Sequence, residues 1–337
     1  MNAGEPPASD SKRSAEVAVA IVSWNTRELL RRCLVSLERE ARSGFARVCV
    51  VDNGSSDGSP EMVRADFDWV RLLETGENLG FGRAANLALA DGAEPWVAPS
   101  NADIALAPGA LRALVEAAKA SPSAGLIAPR LVMPDGRTQH SVHSFPSIPL
   151  GLALHLGLVW LIPPLGDRLC MEGRWNPDRA RAVDWAHGAF LLAPRAAFEA
   201  VGGFDARQWM YAEDLDLAWR LRQDGWSCRY APNAVIHHEV SAATSLAFAD
   251  GRLERHVEAA FDWMARRRGP GVARTYAVIN WLGSAFRALA LRAPARLLGG
   301  RFANARERSR RFAELYRREV RRRRSRLQEG SDTVAGR

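Results

Sequence analysis

The stretch Val17-Ala-Val-Ala-Ile-Val22, running into Ser23-Trp24-Asn25-Thr26, decides the fold. Six apolar residues with no polar alternation fit a strand covered on both faces, as in a parallel sheet held between helices. Thr26 stands where it can cap a helix reaching Leu37. Arg47-Val-Cys-Val-Val51 repeats the buried pattern and ends at Asp52. Working onward, the spacing predicts a helix around Ser59–Ala65, the segment Val70–Leu73, a helix over Phe81–Ala90, a strand at Trp96–Ala98 and a helix over Pro108–Ala120. Strands alternating with helices imply an α/β domain with a mostly parallel central sheet and right-handed crossovers. In such sheets ligands sit beyond the carboxyl ends of the strands. Those ends carry Ser23-Trp24-Asn25, Asp52-Asn-Gly-Ser-Ser-Asp-Gly58 and Ser100-Asn-Ala-Asp103. From about residue 125 to 185 the pattern gives way to Pro-rich, aromatic and apolar text; Val183–Leu192 then reads as a loop leading into a strand.

The chain of 337 residues has room for one large α/β domain with appendages, and its apolar and charged fractions are those of a globular protein. Its net charge of +8 is unevenly placed: residues 301–326 hold twelve Arg and three Glu, which is +9, so the remainder sums to −1. The tail suits an anionic membrane surface first and a solvated helical face second. Nucleic acid comes last, because no recognised nucleic-acid motif accompanies the arginines and few aromatic residues lie among them. Cys33, Cys49, Cys170 and Cys228 are far apart with no CxxC spacing, which fits a reducing cytosol. The first fifteen residues read as a disordered polar leader without a signal core. Two apolar runs, Leu150–Ile162 and Tyr276–Leu291, are poor spanning helices. Either can lie in a membrane interface, or the first can be buried core.

Several residues carry chemistry. In Trp209-Met-Tyr-Ala-Glu-Asp-Leu-Asp-Leu-Ala-Trp-Arg220, Glu213, Asp214 and Asp216 fall at the entrance of an amphipathic helix. Acids there suit the helix dipole, yet three within four positions beside large apolar residues exceed what a cap requires and suit a general base. Asp52 opens a Gly/Ser-rich turn where a carboxylate can accept from a nucleobase imide or a ribose hydroxyl; Asp-Asn-Gly is equally an ordinary turn sequence. Asp103 is either a helix cap or a metal carboxylate, since one carboxylate suffices for Mg²⁺ or Mn²⁺ when a substrate diphosphate supplies further oxygens. Gly80-Phe-Gly82, between Asn78 and Asn86, lacks the third glycine of a dinucleotide fingerprint and reads as a loop for close approach to a nucleotide. His237-His238-Glu239 ends a short strand over Tyr230–Ile236, a place for a metal ligand.

Taken in order these segments resemble the inverting family-2 glycosyltransferases of the GT-A fold, within them the bacterial rhamnosyltransferase-like group. The resemblance runs from Val17 to about Ser245 through Val22-Ser-Trp-Asn-Thr26, Asp52–Gly58, Asn78-Leu-Gly-Phe-Gly82, Ser100-Asn-Ala-Asp103, Gly188-Ala-Phe-Leu-Leu192, Gly202-Gly-Phe-Asp205, Tyr211–Asp216 and the His237 segment. It implies a nucleotide-binding half at about 16–120, an acceptor half at 121–268, and a helical Arg-rich tail over 269–337 that associates with membrane. It places Asp52 at the nucleobase or ribose, with Ser23, Asn25 and Asn78 near the nucleotide. Trp185, His187 and Gly188 would border the donor sugar or acceptor. Asp103 is the remaining aspartate of the family's DxD, here Asn-Ala-Asp, with His237 as a further ligand for Mg²⁺ or Mn²⁺. His238 is the alternative, because the doublet leaves the register open. Asp214 is implied as catalytic base, Glu213 as orienting the site, and Asp216 as structural.

The implied reaction moves a sugar from dTDP-L-rhamnose, or a UDP-sugar, to a hydroxyl of a polyprenyl-diphosphate-linked glycan. The implied place is the cytoplasmic face of the plasma membrane. Two rivals stand beside it. A sugar nucleotidyltransferase would be expected to carry an Arg/Lys-bearing glycine loop where this chain has Ser-Trp-Asn. A catalytically inactive nucleotide-sugar-binding scaffold would not need Asp103, Asp214 and His237.

Overall fold

A computed structural model of the chain describes residues 15–208, 211–239 and 251–332. All but the last residue of the expected leader, Trp209 and Met210 of the acidic stretch, and the end of the family resemblance at 240–245 lie outside the described residues.

The chain opens with β1 (Val17–Ser23), α1 (Arg27–Arg42), β2 (Ala46–Asp52), α2 (Ser59–Asp66), β3 (Arg71–Glu74), α3 (Phe81–Leu89) and β4 (Trp96–Asn101). These strands form a parallel sheet in the order β4-β1-β2-β3. The double burial expected of Val17–Val22 has a simple geometry. Val17, Val19 and Ile21 share one core with Leu30, Leu34 and Leu37 of α1, while Ala18 and Ala20 share the other with Ala84, Ala85 and Ala88 of α3. Alternate side chains of a strand point to opposite faces, so one apolar run serves two layers. Thr26 stands at the N-cap of α1, but its hydroxyl pairs with Ser23 Oγ at 3.0 Å and makes no cap bond. The Arg27 amide is instead satisfied by Asp57 Oδ2 at 2.8 Å. Capped from the neighbouring loop, α1 runs five residues beyond Leu37 to Arg42.

The next elements are β5 (Ile104–Leu106), α4 (Ala110–Lys119), β6 (Ala124–Val132), β7 (Val142–His143), α5 (Ile148–His155), α6 (Leu158–Leu161) and α7 (Pro163–Arg168). They are followed by β8 (Arg181–Val183), β9 (Trp185–Ala186), β10 (Ala193–Pro194), α8 (Arg195–Ala200), α9 (Glu213–Gln223) and β11 (Ser227–His238). β11 is the spine of a second sheet, parallel to β6 and antiparallel to β5 and β8. β10 closes the edge of the first sheet against β4, and single bridges at Ser100–Phe190 and Ile127–Leu192 stitch the two sheets together. β7 and β9 form a small ribbon of their own.

The halves also meet through α3. Asn86 donates to the Phe204 carbonyl at 2.8 Å and accepts from the Phe204 amide at 2.9 Å. A Cβ at Gly82 would lie 2.8 Å from Phe204 Cβ. The close approach that Gly80-Phe-Gly82 provides is thus to the Gly202-Gly-Phe-Asp205 segment of the protein itself.

The C-terminal helices are α10 (Arg252–Arg267), α11 (Pro270–Ala290), α12 (Arg292–Leu298) and α13 (Gly300–Asp332). α13 folds back along α11, with Tyr276 and Tyr316 edge to face at 6.1 Å. Arg267 of α10 grips Asp216 at 2.6 and 3.0 Å and Asp205 at 2.7 Å, while Arg220 reaches Asp216 from one turn along α9. Asp216 is 1% exposed, so its charge is supportable only with these partners. Asp216→Asn is expected to lower stability by about 1–3 kcal/mol, read as a shift in the urea midpoint with an unchanged slope.

Candidate active site

Three strand ends of the first half meet in one loop cluster. Asp52 Oδ2 accepts from the amides of Gly54 at 3.1 Å and Ser55 at 2.9 Å, and its buried Oδ1 has no partner among the described residues. One oxygen builds the turn and leaves the other free to accept. Asn25, at φ +50°, accepts from the Ser56 amide at 2.8 Å and donates its own amide to Ser55 Oγ at 2.9 Å. It ties the loop after β1 to the loop after β2. Asn78 Oδ1 accepts from the Gly80 amide at 3.0 Å, fixing the turn before α3. Ser23 departs from expectation: it is 1% exposed with its hydroxyl on Thr26, so it shapes the loop from beneath and does not face a nucleotide.

The strand decides which histidine faces Asp103. β11 places alternate residues inward, with Cys228, Tyr230, Ile236 and His238 buried and His237 exposed. Side chains two apart share a face. His238 Nε2 therefore lies 3.4 Å from Asp103 Oδ1, and His237, expected there, points to the opposite side. Gln139 adds a decisive detail. Its amide oxygen lies 2.7 Å from His238 Nδ1, so Nδ1 donates to Gln139 and Nε2 is the ring nitrogen turned toward Asp103. Among the described residues, buried Asp103 Oδ1 has no hydrogen-bond partner. Asp103 Oδ1 and His238 Nε2 thus face one another. Their 3.4 Å separation suits neighbouring ligands of one divalent cation with bonds near ~2.1 Å. Asp103 and His238 fit a metal carried with a substrate diphosphate; among the described residues no cluster of three or more His, Cys, Asp or Glu forms a metal cage.

The network continues. Gln139 Nε2 lies 3.4 Å from His187 Nδ1, and His187 Nε2 lies 3.0 Å from His143 Nε2. Burial pushes His187 down to about 3 and His143 well below its ordinary value, with nearby histidines adding to both. Both rings are neutral at pH 7, one donating to the other. Trp185 is not free to border a ligand: its indole N–H donates to the Ser144 carbonyl at 3.2 Å and its face stacks on His143 at 4.5 Å. It buttresses the pair from behind.

Next to His187, the Gly188 amide donates to Asp214 Oδ2 at 2.9 Å, and the Leu215 amide donates to Oδ1 at 2.7 Å. A Cβ at Gly188 would lie 3.3 Å from Asp214 Cβ, so the glycine lets the carboxylate come close. Burial raises the Asp214 carboxyl, while these two amides favour its charged form. Glu213 is pushed up to about 8, by burial first and by the Asp214 charge second. Burial raises both carboxyls, and the Asp214 charge raises Glu213 further, so Glu213 is the one that holds its proton to higher pH. Tyr211, at φ +73°, leads into them, and His256 of α10 lies close to Asp214; burial pushes the imidazole down and the carboxylate pulls it back up.

A test of this division follows from linkage. Folded Glu213 holds a proton that the unfolded chain has already released above its ordinary 4.5. Stability therefore falls with rising pH across about 5 to 8. Glu213→Gln mimics the protonated acid, so it is expected to flatten that fall in thermal melts and to retain most activity at pH 7.

Sequence reasoning did not find Gln139, His143 and His256. They come from irregular segments or a distant helix, and only the fold brings them to Asp103, His187 and Asp214.

The two-sheet architecture with its loop cluster and acidic helix is that of a GT-A nucleotide-sugar transferase. A mannosyltransferase from Pyrobaculum calidifontis, solved with GDP-Man and Mn²⁺, superposes with a TM-score of 0.55 at 19% identity, covering 90% of this chain and 86% of that one. Residues 18–177 match Glycosyl transferase family 2, and residues 178–297 match Glycosyl transferase family group 2. A Mycobacterium tuberculosis relative, N-acetylglucosaminyl-diphospho-decaprenol L-rhamnosyltransferase, is 39% identical over 235 residues, 66% of this chain and 75% of its own. Escherichia coli rhamnosyltransferase WbbL is 37% identical over 90 residues, 26% of this chain and 32% of its own. The chain belongs to glycosyltransferase family 2.

Proposed function

We propose that the protein is an inverting rhamnosyltransferase. It takes L-rhamnose from dTDP-L-rhamnose to a hydroxyl of a polyprenyl-diphosphate-linked sugar, at the inner face of the plasma membrane. A UDP-sugar is the second donor to test. The sugar and the lipid-linked acceptor are argued from the name of the mycobacterial relative, and the divalent cation from the Mn²⁺ of the mannosyltransferase.

The observation that carries the chemistry is the path from Asp103 through His238, Gln139 and His187 to Gly188 and Asp214. It joins the group that would hold the leaving diphosphate to the group that would activate the acceptor. Asp214, ionised and held by two amides, takes the proton from the acceptor hydroxyl as that oxygen attacks the anomeric carbon. Attack opposite the leaving diphosphate inverts the configuration. Asp52 accepts from the nucleobase or ribose with its free Oδ1, on a loop that Asn25 and Asn78 help shape. Asp103 and His238 would hold Mg²⁺ or Mn²⁺, which supplies Lewis-acid neutralisation of the departing diphosphate. Among the described residues no helix is long and apolar enough to cross a membrane, so a lipid-linked acceptor would be met from the surface.

The test is a panel of nucleotide sugars, with and without Mn²⁺, offered together with an N-acetylglucosaminyl-diphospho-polyprenol. Transfer from dTDP-L-rhamnose with inversion is the expected result. Transfer from a UDP-sugar alone would replace the donor assignment, and absence of transfer or donor hydrolysis with every nucleotide sugar would favour the scaffold reading.

A further inference from the structure

We propose that the protein docks on an anionic bilayer through an apolar platform made jointly by α5 and α11, which rests on the lipid-linked acceptor reading above. The contacts between the two helices advance together. A Cβ at Gly151 would lie 3.5 Å from Ile279 and Asn280, while His155 Nε2 lies 3.2 Å from Asn280 Oδ1 and its ring fills the space over Gly283. The helices therefore run parallel, side by side.

Successive helical residues turn by about 100°, which fixes what each face carries. On α11, one side of the seam presents Ala273, Ala277, Ser284 and Ala288, all buried, on the flank where α13 packs. The other side presents Leu282, Phe286 and Leu289, exposed at 56, 69 and 58%. Leu152 of α5 and Leu156 at its C-cap are exposed at 43 and 66%. For two parallel right-handed helices, the residues anticlockwise of the seam on one and clockwise of it on the other share a side. Leu152 and Leu156 thus stand beside Leu282, Phe286 and Leu289, on the face turned away from α13. Because the helices are parallel, the chain leaves both at the same end. There Trp160 and Leu161 of α6, and Leu297 and Leu298 of α12, are also exposed.

Charge selects the occupant. Residues 148–166 contain no Asp or Glu, and residues 270–306 contain six Arg and again no acid. The helices that carry the apolar face, α5, α6, α11 and α12, hold cations and no acid, which complements anionic phospholipid headgroups over acyl chains. A second copy of this chain would bring arginine against arginine. Arg174 lies 5.1 Å over the Trp160 ring, the pairing of aromatic and cation found at membrane interfaces. The platform is also tied to the site: four residues after His143, Ser147 caps α5 by accepting from the Leu150 amide at 3.2 Å. Docking would hold the His143–His187 pair and Asp214 close to the headgroups, where a lipid-linked diphosphate lies.

The experiment is sedimentation of the full chain with phosphatidylglycerol/phosphatidylcholine vesicles, using L152E/L156E and L282E/F286E. All four positions are exposed, so both variants are expected to keep the parent melting temperature. Each is expected to lower the partition coefficient at least tenfold. As a second readout, an environment-sensitive dye on Leu156→Cys should shift to the blue with vesicles, whereas the same dye on Val35→Cys of α1 should not. Parent binding with undiminished binding of both variants, or no shift at position 156, overturns the platform and leaves surface association standing. No parent binding to these vesicles overturns both.

Discussion

Asp214→Asn is expected to lose turnover by about 10²–10⁴-fold, the usual worth of a positioned proton transfer, while affinity for the nucleotide diphosphate holds. The asymmetry follows from where the carboxylate is bound. Both oxygens of Asp214 accept backbone amides, from Gly188 and Leu215, so its place is set by the main chain. An asparagine can accept one of these bonds through its oxygen, but its nitrogen would meet the second N–H donor. It also has no basic lone pair for a hydroxyl proton. Single-turnover measurement with saturating donor separates this from a binding defect. A rate within tenfold of the parent would remove Asp214 from the role of base. Glu213→Gln is the matched control, because Glu213 is the carboxyl that keeps its proton.

The second large effect concerns cation affinity. Mn²⁺ titration in the presence of dTDP, followed by electron paramagnetic resonance, is expected to weaken more than about 100-fold for His238→Ala and Asp103→Asn. The bound comes from outer partners of metal ligands, which alone are worth about 10–100-fold. Gln139→Ala should fall in that smaller range, since it removes the hydrogen-bond partner that orients the His238 ring. His237→Ala should leave affinity unchanged. The reverse ranking of the two histidine variants would restore His237 as the ligand.

Much of the first half was legible because burial on two faces leaves an unbroken apolar run, and a polar residue ends each such run where the sheet ends. Val17–Val22 and Arg47–Val51 are strands for that reason, with Asp52 at the mouth. β4 outruns the expected Trp96–Ala98, carrying Pro99 and Ser100 onward to Asn101. β6 was missed altogether: Ala124-Gly-Leu-Ile-Ala-Pro-Arg-Leu-Val132 contains a glycine and a proline, yet it pairs along most of β11. The histidine register was recoverable from the sequence. Ile236 is an obvious core residue, and the strand period of two carries His238, not His237, to the same side. Trp185 and Ser23 were not recoverable in this way. Whether an aromatic ring lines a cleft or supports the residue that does depends on His143, which arrives from forty-two positions away.

The paired bonds between Asn86 and the Phe204 main chain have a consequence for how members of such a family can be recombined. One side chain reads both the amide and the carbonyl of a single residue across the junction, and Gly82 and Gly203 leave no space for a different one. The junction therefore behaves as a keyed joint. A chimera exchanging the first half would keep this junction only if Gly82, Asn86 and the Gly202-Gly-Phe204 turn travel as one unit.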